Sequence, residues 1–185
     1  NLVETLLPKD VDLSKADIWS QDETSVGQQG SLSRIWALRG TRPRKVKQQQ
    51  FISTYIYGAA CHDTGQSFAL ILPYANTDAM NLFLNELSME IKPERHIALI
   101  IDNAGWHKAN NLVIPVNITL IPLPPYAPEL NAMEQVWEWI KNHCLSNQQY
   151  RDYEDIVDKA CYGWNQLASN QELVISIMHR KWISL

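Results

Sequence analysis

The stretch Ile97-Ala98-Leu99-Ile100-Ile101-Asp102 decides the fold. A continuous apolar run of this kind suits a strand buried on both faces, as in a parallel sheet. The carboxylate that ends it is costly to bury without a partner. Asp102 therefore either emerges to solvent or is compensated by a cation. In open α/β sheets functional groups gather at the carboxyl ends of strands, which makes Asp102 the first candidate site residue.

Working outward, a helix is predicted upstream from Thr77. Its apolar stripe is Met80, Phe83, Leu84 and Leu87, and Pro93 lies past its end. Downstream, a short helix is predicted near residues 107–112 and a strand at 117–121. Nearer the N-terminus, residues 17–22 read as a strand. Ile18, Ser20 and Asp22 share one face of it, and Trp19, Gln21 and Glu23 share the other. Asp22 closes this strand as Asp102 closes its own. Residues 34–38 read as a second strand. Residues 51–61 are rich in β-branched and aromatic side chains and read as a third, with 67–72 returning after the turn Asp63-Thr64-Gly65.

Beyond Pro122, Pro124, Pro125 and Pro128, a helix is predicted from about Ala132. Met133, Val136, Trp137, Ile140 and Cys144 form its apolar face. Two further helices, at 153–164 and 171–179, complete the chain. This order gives a mixed α/β layout around one central sheet. Residues 1–16 read as a tail or linker helix and 17–185 as one folded domain.

Composition narrows the class. A chain of 185 residues with 45% hydrophobic content suits one globular domain. No apolar run reaches the ~18 residues of a membrane-spanning helix, and no signal peptide is evident. These features, with three cysteines in no paired spacing, predict a cytoplasmic protein. The first residue is Asn rather than Met, which predicts a fragment or a processed chain. The net charge of −4 is unevenly spread. No acid lies between Glu23 and Asp63, and Arg34, Arg39, Arg42, Arg44, Lys45 and Lys47 give that interval +6. A local basic stripe of this kind is what phosphate binding needs; a solvated basic loop is the alternative.

Glu134 is the third candidate acid. It stands in the first turn of its helix, with two readings open. In one, Asn131 is the N-cap and Glu134 completes a capping box with it. In the other, Glu134 faces the two aspartates, favoured by the helix N-terminus. Glu138 lies one turn further on. Three carboxylates suit divalent cations that bind oxygen and leave room for phosphate. Two such cations about 3.5–4 Å apart can drive phosphodiester cleavage and joining. The sequence carries no P-loop, dinucleotide fingerprint or nucleophile elbow.

Three strings come in order: Gln21-Asp22-Glu23-Thr24, Ile101-Asp102-Asn103-Ala104-Gly105-Trp106-His107, and Tyr126-Ala127-Pro128-Glu129-Leu130-Asn131-Ala132-Met133-Glu134. Together they resemble the DDE transposases of bacterial insertion sequences related to the mariner superfamily. Trp36 with Arg39-Gly40 resembles that family's Trp-x-x-x-Gly segment. The resemblance runs from about residue 17 to 141, with Ala127 and Ala132 standing where the family usually has Ser and Pro. It implies a ribonuclease-H-like fold with a central mixed five-stranded sheet flanked by helices. It implies Asp22, Asp102 and Glu134 as catalytic and metal ligands, with two Mg²⁺ or Mn²⁺ ions as cofactors. Asn103 and His107 fall on motif positions that contact substrate or orient the site; capping or packing is their other reading. Arg39, Arg42, Arg44, Lys45, Lys47 and Lys141 are the further candidate DNA contacts. The implied partners are transposon ends, target DNA and a second copy in a homodimer. A helix-turn-helix DNA-binding region would lie outside this chain. Two other readings stay open: another ribonuclease-H-like nuclease, and a transposase-derived DNA-binding or assembly module without catalysis.

Overall fold

The structure is a computed structural model. It describes residues 5–9, 11–30, 33–34, 36–41, 44, 48–105, 111–124 and 130–180. Five strands form one sheet: β1 (Ala16–Gly27), β2 (Ser53–Cys61), β3 (Ser67–Leu72), β4 (His96–Ile101) and β5 (Ile118–Pro122). Their order is β3-β2-β1-β4-β5. β1, β2 and β3 pair antiparallel, and β4 and β5 add in parallel beside β1. The helices are α1 (Thr77–Glu90), α2 (Met133–Ile140), α3 (Tyr153–Ala168) and α4 (Gln171–Met178). A π-helical turn, Lys141–Leu145, continues α2.

Side-chain parity explains the layers. Odd residues of β1 and β4, namely Trp19, Ile97, Leu99 and Ile101, pack with Met80, Phe83, Leu84 and Leu87 of α1. Even residues face the other side. There Val26, Ile56 and Ala60 meet α2, α3 and α4. Ala16, Ile18, Ala98 and Ile100 form a separate apolar cluster with Leu7 and Leu123. Along β1 the even positions read Ala16, Ile18, Ser20, Asp22, Thr24 and Val26. Three polar residues thus sit between two apolar clusters on one sheet face, and this gap is where Asp22 lies.

Three strand predictions need correction. β1 does not end at Asp22 but runs on to Gly27, because β2 pairs with it through Gly27↔Ser53. Backbone pairing extends the strand through Glu23-Thr24-Ser25, where no apolar pattern marks it. Residues 34 and 36–38 form no strand; Trp36 is fully exposed, at 103%, with no surface to pack on. The third strand starts at Ser53, and Phe51 before it is exposed. The helix predicted near 107–112 falls mostly outside the described residues.

The connection between β1 and β2 is tied down at its neck. Gln28 Nε2 and Gln48 Nε2 both donate to the Tyr150 carbonyl, and Gln48 Oε1 accepts from the Tyr150 amide. Asn147 Nδ2 donates to Ser33 Oγ at 2.8 Å. Asn147 itself adopts a left-handed φ of 61°, which asparagine tolerates well. Among the described residues, no helix is long and apolar enough to cross a membrane.

Candidate active site

Asp22 and Asp102 come from neighbouring parallel strands. The β1–β4 register runs from Ala16↔His96 to Ser20↔Ile100. Carried on by two residues, it sets Asp22 across from Asp102. Both are even-numbered and share the face that carries Ile18 and Ile100. Glu23 lies on the opposite face, paired with Tyr57 and accepting from Gln21 Nε2 at 3.0 Å. Asp102 follows β4 directly, and its Oδ1 accepts from the Ala104 amide at 2.8 Å, which turns the chain away from the strand. Asn103 donates from Nδ2 to the Leu123 carbonyl, tying the ends of β4 and β5 together.

Glu134 reaches this site on α2. The capping box is not formed: Ala132, in helical conformation, precedes the helix with no side-chain cap bond. Asn131 does something else. Its Oδ1 accepts from the Met133 amide at 3.1 Å and its Nδ2 donates to the Gln21 carbonyl at 3.2 Å. One buried amide thus ties the start of α2 to the β1 residue next to Asp22. Three positions along from Glu134, Trp137 Nε1 donates to Asp22 Oδ2 at 2.9 Å. Glu134 and Glu138 are both exposed.

Burial pushes the Asp22 carboxyl up to about 7. The neighbouring Glu23 and, less strongly, Glu134 add to the effect, while the Trp137 and backbone hydrogen bonds oppose it. A carboxylate held this high is one whose negative charge lacks compensation. A hard divalent cation, for which oxygen ligands are the natural set, would supply it. The donor set of Asp22, Asp102 and Glu134 fits such an ion in kind and charge. Among the described residues, no three His, Cys, Asp or Glu side chains are gathered into one coordination shell.

The basic candidates are less gathered. Arg34, Arg39 and Arg44 are exposed on the β1–β2 connection. Arg42, Lys45, Lys47 and His107 lie outside the described residues. Lys141 is partly buried two helical turns from Glu134. It lines a cavity of about 320 Å³ with Ser25, Gly27, Phe51, Ser146 and Tyr150, which none of the three acids enters. Sequence reasoning missed the supporting roles of Asn131 and Trp137. Gly58 was the available signal, because an isolated glycine inside a strand marks a close approach.

Comparison with known proteins agrees with this architecture. Residues 17–157 match the family described as DDE superfamily endonuclease. An uncharacterized protein, y4pE/y4sA, of Sinorhizobium fredii is 43% identical over 128 residues, 69% of this chain and 95% of that protein. The insertion element IS630 39 kDa protein of Shigella sonnei is 26% identical over 139 residues, 71% of this chain and 40% of that protein. Among solved structures, the Mos1 mariner paired end complex with Mn superposes with a TM-score of 0.67 at 18% identity. That match covers 97% of this chain and 56% of the Mos1 chain. The chain therefore spans less than half of the insertion-element protein and about half of Mos1. It belongs to the DDE superfamily endonucleases and has the ribonuclease-H-like fold of a transposase catalytic domain.

Proposed function

We propose that this chain cuts and joins DNA strands in transposition, with Asp22, Asp102 and Glu134 holding two divalent cations, Mg²⁺ or Mn²⁺. The observation that carries this reading is the shared face and register of Asp22 and Asp102, with the first turn of α2 lying over Asp22. When bound, the cations supply Lewis acidity toward the attacking water or 3′-hydroxyl and the leaving oxygen. Asp22, within β1, and Asp102, directly after β4, would hold those cations in fixed positions, so that the reacting phosphate would be oriented through them. Glu134, on the exposed first turn of its helix, closes the set from the solvent side. Asn103 steadies the strand ends beneath the site.

DNA is the proposed substrate, as transposon ends first and target DNA second. In support, Arg34, Arg39 and Arg44 are exposed on the β1–β2 connection, and Lys141 stands directly after the Glu134 helix. The Mos1 structures are described as a paired end complex and a strand transfer complex. We assign this chain to a homodimeric active complex, as its family resemblance implies. We assign residues 17–185 to the catalytic domain, and recognition of the ends to a separate helix-turn-helix region.

The test is a strand-cleavage and strand-transfer assay in Mg²⁺ or Mn²⁺, with DNA carrying the element ends and the chain joined to its DNA-binding region. Asp102→Ala is expected to abolish both steps while leaving DNA binding in place. Activity unchanged in Asp102→Ala would remove the catalytic assignment.

A further inference from the structure

Three observations at the centre of the sheet converge on one indole. Gly58 is the register partner of Asp22 across β1 and β2. A Cβ there would lie 2.6 Å from Trp137 Cη2 and 2.7 Å from Trp164 Cζ3, far inside ordinary contact. The bare backbone is thus a platform on which two rings rest. Those rings also touch each other, with centroids 5.9 Å apart and planes tilted by 45°. Trp137 is buried among Ile56, Ala60, Val136 and Ile140. Its ring cannot turn without meeting β2 or Trp164.

The fixed ring directs Nε1 at Asp22 Oδ2. An indole N–H only donates, so it offers a proton to this oxygen in every protonation state of the site. The partner needs such restraint, since Glu23 and Glu134 both repel the Asp22 charge. An aspartate free to rotate would swing away from them. Trp137 and Glu134 share one helix at a spacing of three, and therefore one face. A single turn of α2 brings up the third acid and grips the first.

We infer that Trp137 is a positioning residue: its wedged indole holds Oδ2 of Asp22 and so sets which carboxylate oxygen is left for cation and substrate phosphate. The inference rests on the reading of Asp22 as a metal ligand. Removing a hydrogen-bond donor that orients a ligand carboxylate typically changes metal affinity by about 10–100-fold.

The experiment uses the full-length protein with Trp137→Phe, which keeps a ring over Gly58 and removes the donor. Mn²⁺ affinity is read by electron paramagnetic resonance. Strand cleavage is read as kcat and KM for end DNA. Expected are a Mn²⁺ affinity weakened about 10-fold or more, kcat lowered in step, and KM within about twofold of wild type. Mn²⁺ binding equal to or tighter than wild type would overturn the inference. If Trp137→Phe does not fold, the same readings are taken with 3-benzothienylalanine at position 137. That residue replaces the N–H by sulfur at nearly constant shape, and the same outcomes apply. Asp22→Asn is measured alongside. Unchanged Mn²⁺ binding in Asp22→Asn would remove the ligand reading, and this inference with it. Loss in Asp22→Asn with none in Trp137→Phe would remove the positioning role alone.

Discussion

Gly58→Ala adds one methyl group at the point where the sheet meets α2 and α3. The new carbon would stand 2.6 Å from Trp137 Cη2 and 2.7 and 2.8 Å from Trp164 Cζ3 and Cη2. Ordinary carbon contacts begin near 3.4 Å, so both rings must retreat by roughly 0.6–0.8 Å. They are packed on each other and on the helical core, so they retreat together or force the backbone apart. Overpacking of a well-filled core costs about 1–3 kcal/mol. The same retreat, about 0.8 Å for Trp137 and taken along the bond, would carry its Nε1 from 2.9 Å to about 3.7 Å from Asp22 Oδ2, past hydrogen-bonding range. With water able to reach the partly exposed carboxylate, that loss adds about 1 kcal/mol. The expected destabilisation is therefore about 2–4 kcal/mol, a fall of about 1–2 M in the urea midpoint. Gly105→Ala is the control, because a Cβ there meets nothing within 4 Å. Equilibrium urea unfolding of the two variants decides the matter. A Gly58→Ala midpoint indistinguishable from that of Gly105→Ala would refute the idea that the indoles rest on this glycine.

Three more predictions concern charge. Burial pushes the His62 imidazole, bonded through Nε2 to Ser20 Oγ, down from 6.5 to about 4. The unfolded chain takes up this proton first, so stability is full above about pH 6.5 and drains as pH falls through 4. The loss between pH 7 and 4.5 is about 2 kcal/mol, and His62→Gln should remove that slope in urea midpoints; an unchanged slope would contradict it. For Asp22, near 7, cation binding must displace a proton at low pH. Mn²⁺ affinity should therefore rise about tenfold from pH 6 to 8, and calorimetry in two buffers at pH 6 should show nearly one proton released. Neutralising Arg39, Arg42 and Arg44 should weaken DNA binding and flatten its salt dependence, by about 0.9 in log–log slope for each phosphate no longer neutralised; an unaltered slope would make these arginines bystanders.

The fold was legible wherever apolar pattern and burial coincide. Ile97 to Ile101 is such a place, and so is the stripe of Met80, Phe83, Leu84 and Leu87. It was illegible where pairing alone makes the strand. Glu23-Thr24-Ser25 belongs to β1 only because Tyr57, Ile56 and Tyr55 lie across from it. The opposite error arose at residues 34–38. Trp36 and Leu38 mimic a strand by their spacing, but both are exposed and pair with no strand among the described residues. At the site, parity alone separated Asp22 from Glu23. At Asn131 local pattern told half the story: its Oδ1 does accept at the helix start, from the Met133 amide, but its Nδ2 also reaches across 110 positions of sequence to the Gln21 carbonyl. Trp137 was legible as core, but its donor atom points to a partner 115 positions away. Local periodicity carries no information about such a pair.

The staple between the β1–β2 connection and the segment Asn147–Tyr150 has a consequence for how this domain can diversify. Ser33 and Gln48 are held to a fixed base by Asn147 and Tyr150, so the chain between them begins and ends on anchored points. Doubling the length of a flexible loop with fixed ends costs only about 0.6 kcal/mol. The segment can therefore be exchanged as a cassette, longer or shorter, richer or poorer in arginine, without disturbing the strands that carry the acids. Grafting a different segment between positions 34 and 47 would leave Asp22, Asp102 and the Glu134 helix where they stand.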